Sequence, residues 1–139
     1  MKRRSFIQQS CFACMGLAGL GQFLSGCATS LPSLKLESRN NLLSVPLSKF
    51  APSQKMLLVH CSELEDNILL IREENKFKAL YMRCTHEGVP LTVSGKKIVC
   101  PAHGSSFDFE GNVIKEPALR PLKSFSTNVQ DEKILIHLT

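Results

Sequence analysis

The chain of 139 residues contains no tryptophan and a single tyrosine, although it has eight phenylalanines. Its 17 basic residues outnumber its 12 acidic ones, which gives a formal net charge of +5. A basic chain that binds nucleic acid is expected to interleave its cations with aromatic side chains that stack on bases. The sequence has no such patch, so we expect no nucleic-acid partner.

Long apolar runs are also missing from the N-terminal part. The apolar and small residues of Cys11–Gly21 make a stretch of eleven, whereas a membrane-spanning helix needs about 20. No acidic residue precedes Glu37, and the basic triplet Lys2-Arg3-Arg4 stands ahead of the apolar stretch. This order is typical of a secretory signal peptide, which we predict over residues 1–26.

Two finer signals lie in the same region. Arg3–Gln8 resembles the twin-arginine export motif, and Leu24–Cys27 resembles a lipobox, the bacterial signal at which a cysteine is lipidated and becomes the new N-terminus. An ordinary basic segment, cleavage without lipidation and an uncleaved anchor are the alternatives. We predict an exported protein that is lipidated at Cys27 and anchored on the periplasmic or extracytoplasmic side of a membrane. Residues 27–45 would form its tether, either free or partly packed on the domain.

The six cysteines do not make a disulfide framework. Two of them lie in the predicted signal peptide, and Cys27 is the candidate for lipidation. Cys61 ends an apolar run and is interpreted as a buried structural thiol, which is a common environment for free cysteine. Cys84 and Cys100 remain, and each of them stands close to a histidine.

The most informative residues form two short motifs, Cys84-Thr-His86 and Cys100-Pro-Ala-His103. Glycines follow closely, at Gly88 and Gly104. Thiolate and imidazole suit zinc, copper or an iron–sulfur cluster better than magnesium or calcium. A structural zinc ion would take all four ligands, whereas a Rieske [2Fe–2S] cluster has two cysteines on one iron and two histidines on the other. Since each motif supplies one of each type, the pairing favours the cluster.

Cys84–Gly88 and Cys100–Ser105 resemble the two ligand loops of Rieske iron–sulfur proteins. The resemblance implies an all-β fold of small antiparallel sheets with a loop-rich cluster-binding subdomain, here over residues 46–139. It also implies one [2Fe–2S] cluster per chain, with Ser105 donating a hydrogen bond to it. The ligands it implies are two thiolates and two imidazoles, from Cys84, His86, Cys100 and His103.

The pattern of the remaining sequence also predicts strands. No segment keeps a period of 3.6 residues, and short apolar runs are separated by polar turns. The predicted strands are Gln54–Cys61, Asn67–Arg72, Lys76–Met82, Leu91–Val93, Lys97–Cys100, Ser106–Phe109, Asn112–Lys115, Ser124–Val129 and Lys133–Leu138.

Several positions depart from the family pattern. Rieske proteins of quinol-oxidising complexes usually have an additional cysteine in each loop, joined as a disulfide, and those positions are Val89 and Ala102 here. A tyrosine of high-potential members is replaced by Phe107, which leaves Ser105 as the hydrogen-bond donor. Such bonds raise the potential, so we predict a value in the lower or middle part of the range of about −150 to +300 mV. Glu116–Leu122 resembles the proline-containing segment that covers the family's cluster.

The leading interpretation is an exported, membrane-tethered protein that transfers single electrons, alone or as the small subunit of an oxidoreductase. Its donor and acceptor would be redox proteins, such as a larger oxidoreductase subunit or a cytochrome. No residue is assigned a catalytic role, because a single cluster relays electrons and is not a self-contained enzyme. The alternatives are the Rieske subunit of a quinol–cytochrome c reductase, the Rieske ferredoxin of a dioxygenase system, and a zinc-stabilised lipoprotein with a binding role.

Overall fold

The computed structural model describes residues 30–74 and 76–139, so the predicted signal peptide and Cys27 lie outside the described residues. The described part is all-β, as expected, with one 3₁₀ turn at Leu47–Lys49. None of its segments is a helix long and apolar enough to cross a membrane. Its strands are β1 (Ser33–Leu36), β2 (Leu42–Pro46), β3 (Met56–Cys61), β4 (Ile68–Glu73), β5 (Lys76–Tyr81), β6 (Thr92–Ser94), β7 (Lys97–Val99), β8 (Ser106–Phe107), β9 (Val113–Lys115), β10 (Ser124–Gln130) and β11 (Lys133–His137).

Seven strands form a nearly closed sheet in the order β1-β3-β4-β5-β10-β11-β2. Neighbouring strands are antiparallel except β1 and β3, which are parallel. In β3 the buried residues alternate with partly exposed ones, so Leu57, Val59 and Cys61 point to one face. They pack in a first core with residues of β2, β4 and β11. Cys61 is fully buried there as a free thiol, as the sequence indicated.

Two strands of the large sheet, β1 and β2, lie within the described part of the segment 27–45 for which a tether was predicted. β2 pairs with β11, with Val45 opposite Ile134, and both Leu43 and Val45 are fully buried. β1 pairs with β3, and Leu34 and Leu36 pack against the first core. Because these apolar residues alternate with polar ones, the segment can complete the sheet with one face buried.

The smaller sheet has the order β6-β7-β8-β9 and is antiparallel throughout. It shares a second core with the outer face of the large sheet. Strand β4 contributes to both cores, because Ile68 and Leu70 point into the first and Leu69 and Ile71 into the second. The two candidate ligand loops follow β5 and β7, so this second core supports both of them.

Most predicted strands are present within a few residues of their predicted ends. The polar turn after β4 is confirmed, since β4 ends at Glu73 and β5 begins at Lys76. The largest differences are of two residues: β3 begins at Met56 and not at Gln54, and β8 ends at Phe107 and not at Phe109. The chain turns after β8 because Asp108 and Asn112 bond each other across the connection to β9.

Candidate metal centre

The first ligand loop is closed by two backbone hydrogen bonds on Cys84. The Cys84 amide donates to the carbonyl of Val89 at 2.9 Å, and the amide of Gly88 donates to the Cys84 carbonyl at 2.8 Å. Gly88 has a φ of +68°, in the left-handed region that favours glycine. The chain therefore turns around the cysteine within six residues.

The second loop has the same hydrogen-bonded frame. The Cys100 amide donates to the Ser105 carbonyl at 2.8 Å, and the Gly104 amide donates to the Cys100 carbonyl at 3.1 Å. Gly104 has a φ of +75°. The glycine stands four residues after the cysteine in both loops, so the two motifs differ only in where the histidine falls within one shared frame.

The side chains of the two loops divide into a buried pair and an exposed pair. Cys84 and Cys100 are 3% and 2% exposed and belong to the second core. His86 and His103 are exposed, and their ring centroids lie 5.2 Å apart with the rings nearly perpendicular. The two thiols therefore lie on the interior side of the site, and the two imidazoles lie on its solvent side.

Glu87 lies beside the imidazoles and was missed by the sequence analysis. Its carboxylate oxygen Oε2 is 3.6 Å from Nδ1 of His103. The possible ligand atoms of His86, Glu87 and His103 all lie within 4.8 Å of one another, and all three side chains are exposed. The signal that could have identified Glu87 is its position next to a predicted ligand. Its carboxylate places negative charge at the surface where the imidazoles emerge.

Ser105 is fully buried directly after the second loop's glycine. Its Oγ accepts a hydrogen bond from the Ala118 amide at 3.0 Å. The hydroxyl retains its own proton for donation to a second acceptor. Phe107, which the family resemblance had suggested replaces a tyrosine, is fully buried and offers no polar hydrogen.

The segment Glu116–Leu122 contacts both ligand loops. Ala118 reaches the second loop through Ser105, and the carbonyl of Arg120 accepts a hydrogen bond from Thr85 Oγ1 of the first loop at 2.6 Å. Ala118 is buried in the second core, while its neighbour Leu119 is 80% exposed. The segment thus links the two loops and carries a large, exposed apolar side chain.

Asp108 stabilises its own turn between β8 and β9. Its carboxylate accepts hydrogen bonds from the Asn112 backbone at 2.7 Å and from the Asn112 side chain at 3.1 Å. Burial raises the pKa of Asp108, but these bonds, with those from the backbone of Glu110 and Gly111, outweigh it and lower the pKa below its ordinary value. The carboxylate is a structural group of this hairpin.

The donor set fits a two-iron cluster better than a single ion. Buried thiols on one side and neighbouring imidazoles on the other match a centre with one cysteine-ligated iron and one histidine-ligated iron. The positive φ at both glycines lets each loop curve closely around an inorganic group. A single zinc ion would instead require all four donors to converge on one point. The possible ligand atoms that lie close together come from His86, Glu87 and His103, and neither cysteine is among them.

Comparison with known proteins identifies the class. Residues 46–126, more than half of the chain, match the Rieske [2Fe-2S] domain family. The chain therefore belongs to that family, and the family implies a [2Fe–2S] cluster.

Individual relatives are similar over part of their length. The iron-sulfur subunit of the cytochrome b6-f complex from Nostoc punctiforme is 46% identical over 55 residues, which cover 38% of this chain and 31% of that subunit. The corresponding subunit from Microcystis aeruginosa is 37% identical over 79 residues, which cover 53% and 44%. The chain thus matches less than half the length of these relatives.

Solved structures share the fold. The plasma membrane Rieske protein PetC3 from Synechocystis PCC 6803 aligns with a TM-score of 0.56 and 26% identity, covering 68% of this chain and 97% of that one. The ferredoxin of carbazole 1,9a-dioxygenase from Nocardioides aromaticivorans aligns with a TM-score of 0.51 and 20% identity, covering 71% and 99%. At that identity the second likeness concerns the fold alone.

Proposed function

We propose that this protein is an exported, membrane-tethered carrier of single electrons that binds one Rieske [2Fe–2S] cluster. The observation that carries the proposal is the pair of identically framed loops, with buried thiols and adjacent exposed imidazoles. Bound there, the cluster would accept one electron at a time. The proposed ligands are Cys84, His86, Cys100 and His103.

The exposed imidazoles give the site an outward side at which a redox partner can approach. The side chain of His103 is 48% exposed, whereas the two cysteines are almost completely covered. Leu119 stands on the segment that contacts both loops. We expect a donor or acceptor protein, such as a cytochrome or a larger oxidoreductase subunit, to contact this apolar residue while it approaches the histidines.

Export and lipidation at Cys27 form part of the proposal and are supported by the sequence of residues 1–27. A twin-arginine signal would suit a protein that must acquire its cluster before export, because that route carries folded proteins. Mass spectrometry of the membrane-bound protein should find a lipidated Cys27 as the first residue. Cys27→Ala should release the protein from membranes, and unchanged membrane attachment would contradict the proposed anchor.

A quinol-linked subunit is the second candidate, favoured by the similarity to cytochrome b6-f iron-sulfur subunits. The sequence of the loops counts against this candidate. Val89 and Ala102 occupy the positions of the two additional cysteines, so the loops lack the disulfide that such subunits usually have. A buried Phe107 also removes one hydrogen-bond donor. A dioxygenase ferredoxin tolerates these positions but does not account for the export signals.

An EPR-monitored redox titration of the full chain tests these functions together. A rhombic signal that appears on reduction, with iron and sulfide in equal amounts, would support the cluster. A midpoint in the lower or middle part of about −150 to +300 mV is expected, and a value near the top would favour the quinol-linked candidate. Bound zinc with no paramagnetic signal would overturn the proposal and support the zinc-stabilised lipoprotein.

A further inference from the structure

Arg83, directly before Cys84, is held by two carboxylates from the connection between β3 and β4. Its Nη1 lies 2.8 Å from Oδ2 of Asp66 and also pairs with Glu65. Asp66 is only 8% exposed, and a buried carboxylate is rarely found without a partner. The Asp66 amide also donates to the hydroxyl of Tyr81 at 3.4 Å. Arg83 is therefore fixed at its outer end by a segment distant in sequence.

The same guanidinium lies against the glycine of the first ligand loop. A Cβ built on Gly88 would be 3.0 Å from Nη2, 3.1 Å from Nε and 3.2 Å from Cζ of Arg83. Three atoms of the planar group thus cover the Gly88 backbone. Gly88 in turn donates its amide to the carbonyl of Cys84, so a group that fixes Gly88 also fixes the turn around the cysteine.

The second loop has no counterpart to this contact in the described part of the chain. A Cβ built on Gly104 would meet a single atom within 4 Å, Nζ of Lys115 at 3.7 Å. The residue before Cys100 is Val99, which pairs in the small sheet. Arg83 is therefore a support specific to the loop that carries Cys84 and His86.

We propose that Arg83 is the positioning residue of the first ligand loop, and that its ion pair with Asp66 holds that loop in the shape that retains the cluster. This inference rests on the proposed function for the cluster and goes beyond it. It joins the β3–β4 connection to the metal centre through one side chain. Arginine suits this role because its planar fork can bond a carboxylate and stack at the same time.

The test compares variants of the full chain by the rate at which iron is released to a chelator. Arg83→Ala should lose iron about 10- to 100-fold faster than wild type, the usual effect of removing a group that orients a ligand. Arg83→Lys keeps the charge but not the planar fork, so it should restore part of the retention. The EPR g-values of the reduced protein should shift in Arg83→Ala, which a general loss of stability would not cause.

Arg72→Ala is the matched control. The guanidinium of Arg72 also packs against other side chains, with its Cζ 4.9 Å from the ring centroid of Phe50 and 5.7 Å from that of Phe77. Both rings belong to the first core or pack against it, so Arg72 does not support the ligand loops. Its loss should leave the iron-release rate and the g-values unchanged. Arg83→Ala also leaves the Asp66 carboxylate buried without its cation. The double variant Arg83→Ala/Asp66→Asn removes that unpaired charge. It should still release iron as fast as Arg83→Ala, because the Arg83 contact with the loop is missing in both.

A mutant cycle tests the contact itself by thermal unfolding, with or without iron. Gly88→Ala should lower the unfolding temperature more in wild type than in Arg83→Ala, where the obstructing group is absent. Gly104→Ala should have the same effect in both backgrounds. Equal effects of Gly88→Ala in both, or wild-type iron release and g-values in Arg83→Ala, would overturn the inference. A wild-type chain without iron and sulfide would instead refute the proposed function, and the cycle would still test the contact.

Discussion

The two ligand loops have the same backbone frame but different supports. The first is held from outside by Arg83, whose partner Asp66 precedes it by 17 residues in the chain. The second is held from inside by Ser105, whose hydroxyl bonds the amide of Ala118, which follows it by 13 residues. The two loops have the same local backbone hydrogen bonds, but a partly exposed ion pair supports the first loop and a buried, uncharged hydrogen bond supports the second. The first support is open to screening by salt and the second is not.

Removal of a thiol should have the largest effect and should not distinguish the loops. Cys84→Ala and Cys100→Ala should each abolish the reduced EPR signal, because either change removes one of two thiolates from the same proposed iron. Iron and sulfide analysis of the purified variants measures the loss. Cys61→Ala is the control, since Cys61 is equally buried but belongs to the first core. A Cys84→Ala protein with a full complement of iron would refute the ligand assignment.

Alanine at the loop glycines should separate the two loops. Both positions have a positive φ, so each substitution should cost about 1–2 kcal/mol in the free energy of unfolding. Gly88→Ala should cost more than Gly104→Ala because its Cβ would lie 3.0 Å from the Arg83 guanidinium, whereas a Cβ at Gly104 would make only an ordinary contact with Nζ of Lys115 at 3.7 Å. Urea unfolding of the two variants gives the comparison. A larger cost at Gly104 would contradict the difference in support described here.

The support of the second loop should respond to loss of the Ser105 hydroxyl. Ser105→Ala leaves the buried Ala118 amide without its acceptor, which should cost about 1–3 kcal/mol of stability. It should also lower the midpoint potential, because a hydrogen-bond donor near the cluster favours the reduced state. Redox titration measures the shift, and Ser106→Ala, at the adjacent buried serine, should leave the midpoint unchanged. An unchanged midpoint in Ser105→Ala would show that the hydroxyl points its proton elsewhere.

The smallest effect is expected at the turn that follows the second loop. The lowered pKa of Asp108 means that its ionised form is favoured by folding, so it stabilises the protein above its unfolded pKa of about 3.9. That contribution, about 1 kcal/mol for the bonds from Asn112, should be lost as the pH falls through the folded value. The difference in unfolding free energy between wild type and Asp108→Ala should therefore be larger at pH 7 than at pH 3. A difference that grows towards acid pH would contradict the assigned direction.

The sequence predicted the local features of this protein well. Short apolar runs between polar turns were enough to find the strands from β3 onwards, because each follows from the pattern of its own residues. The glycine four residues after each ligand cysteine could also have revealed the shared frame of the loops. The resemblance carried by the two motifs identified the Rieske family, which the family match over residues 46–126 confirms.

Long-range partners are what the sequence did not reveal. β1 and β2 were not predicted although their apolar residues alternate with polar ones, because both are short and pair with β3 and β11, which lie further along the chain. Arg83 looked like an ordinary charged residue in the sequence, because β4 and β5 separate it from its partners Glu65 and Asp66 along the chain. Glu87 gained significance only when the fold placed it beside His103.

The pairing of β1 and β2 has a practical consequence for producing the domain. The family match begins at residue 46, after β1 and at the last residue of β2. A recombinant fragment cut there would leave β3 and β11 as open edges, and both are rich in leucine, isoleucine and valine. Open apolar edges recruit strands from other molecules and promote aggregation. A soluble fragment should therefore include the residues from Leu31 onwards, because Leu31 packs on the second core and β1 follows it, even though the family match does not include them.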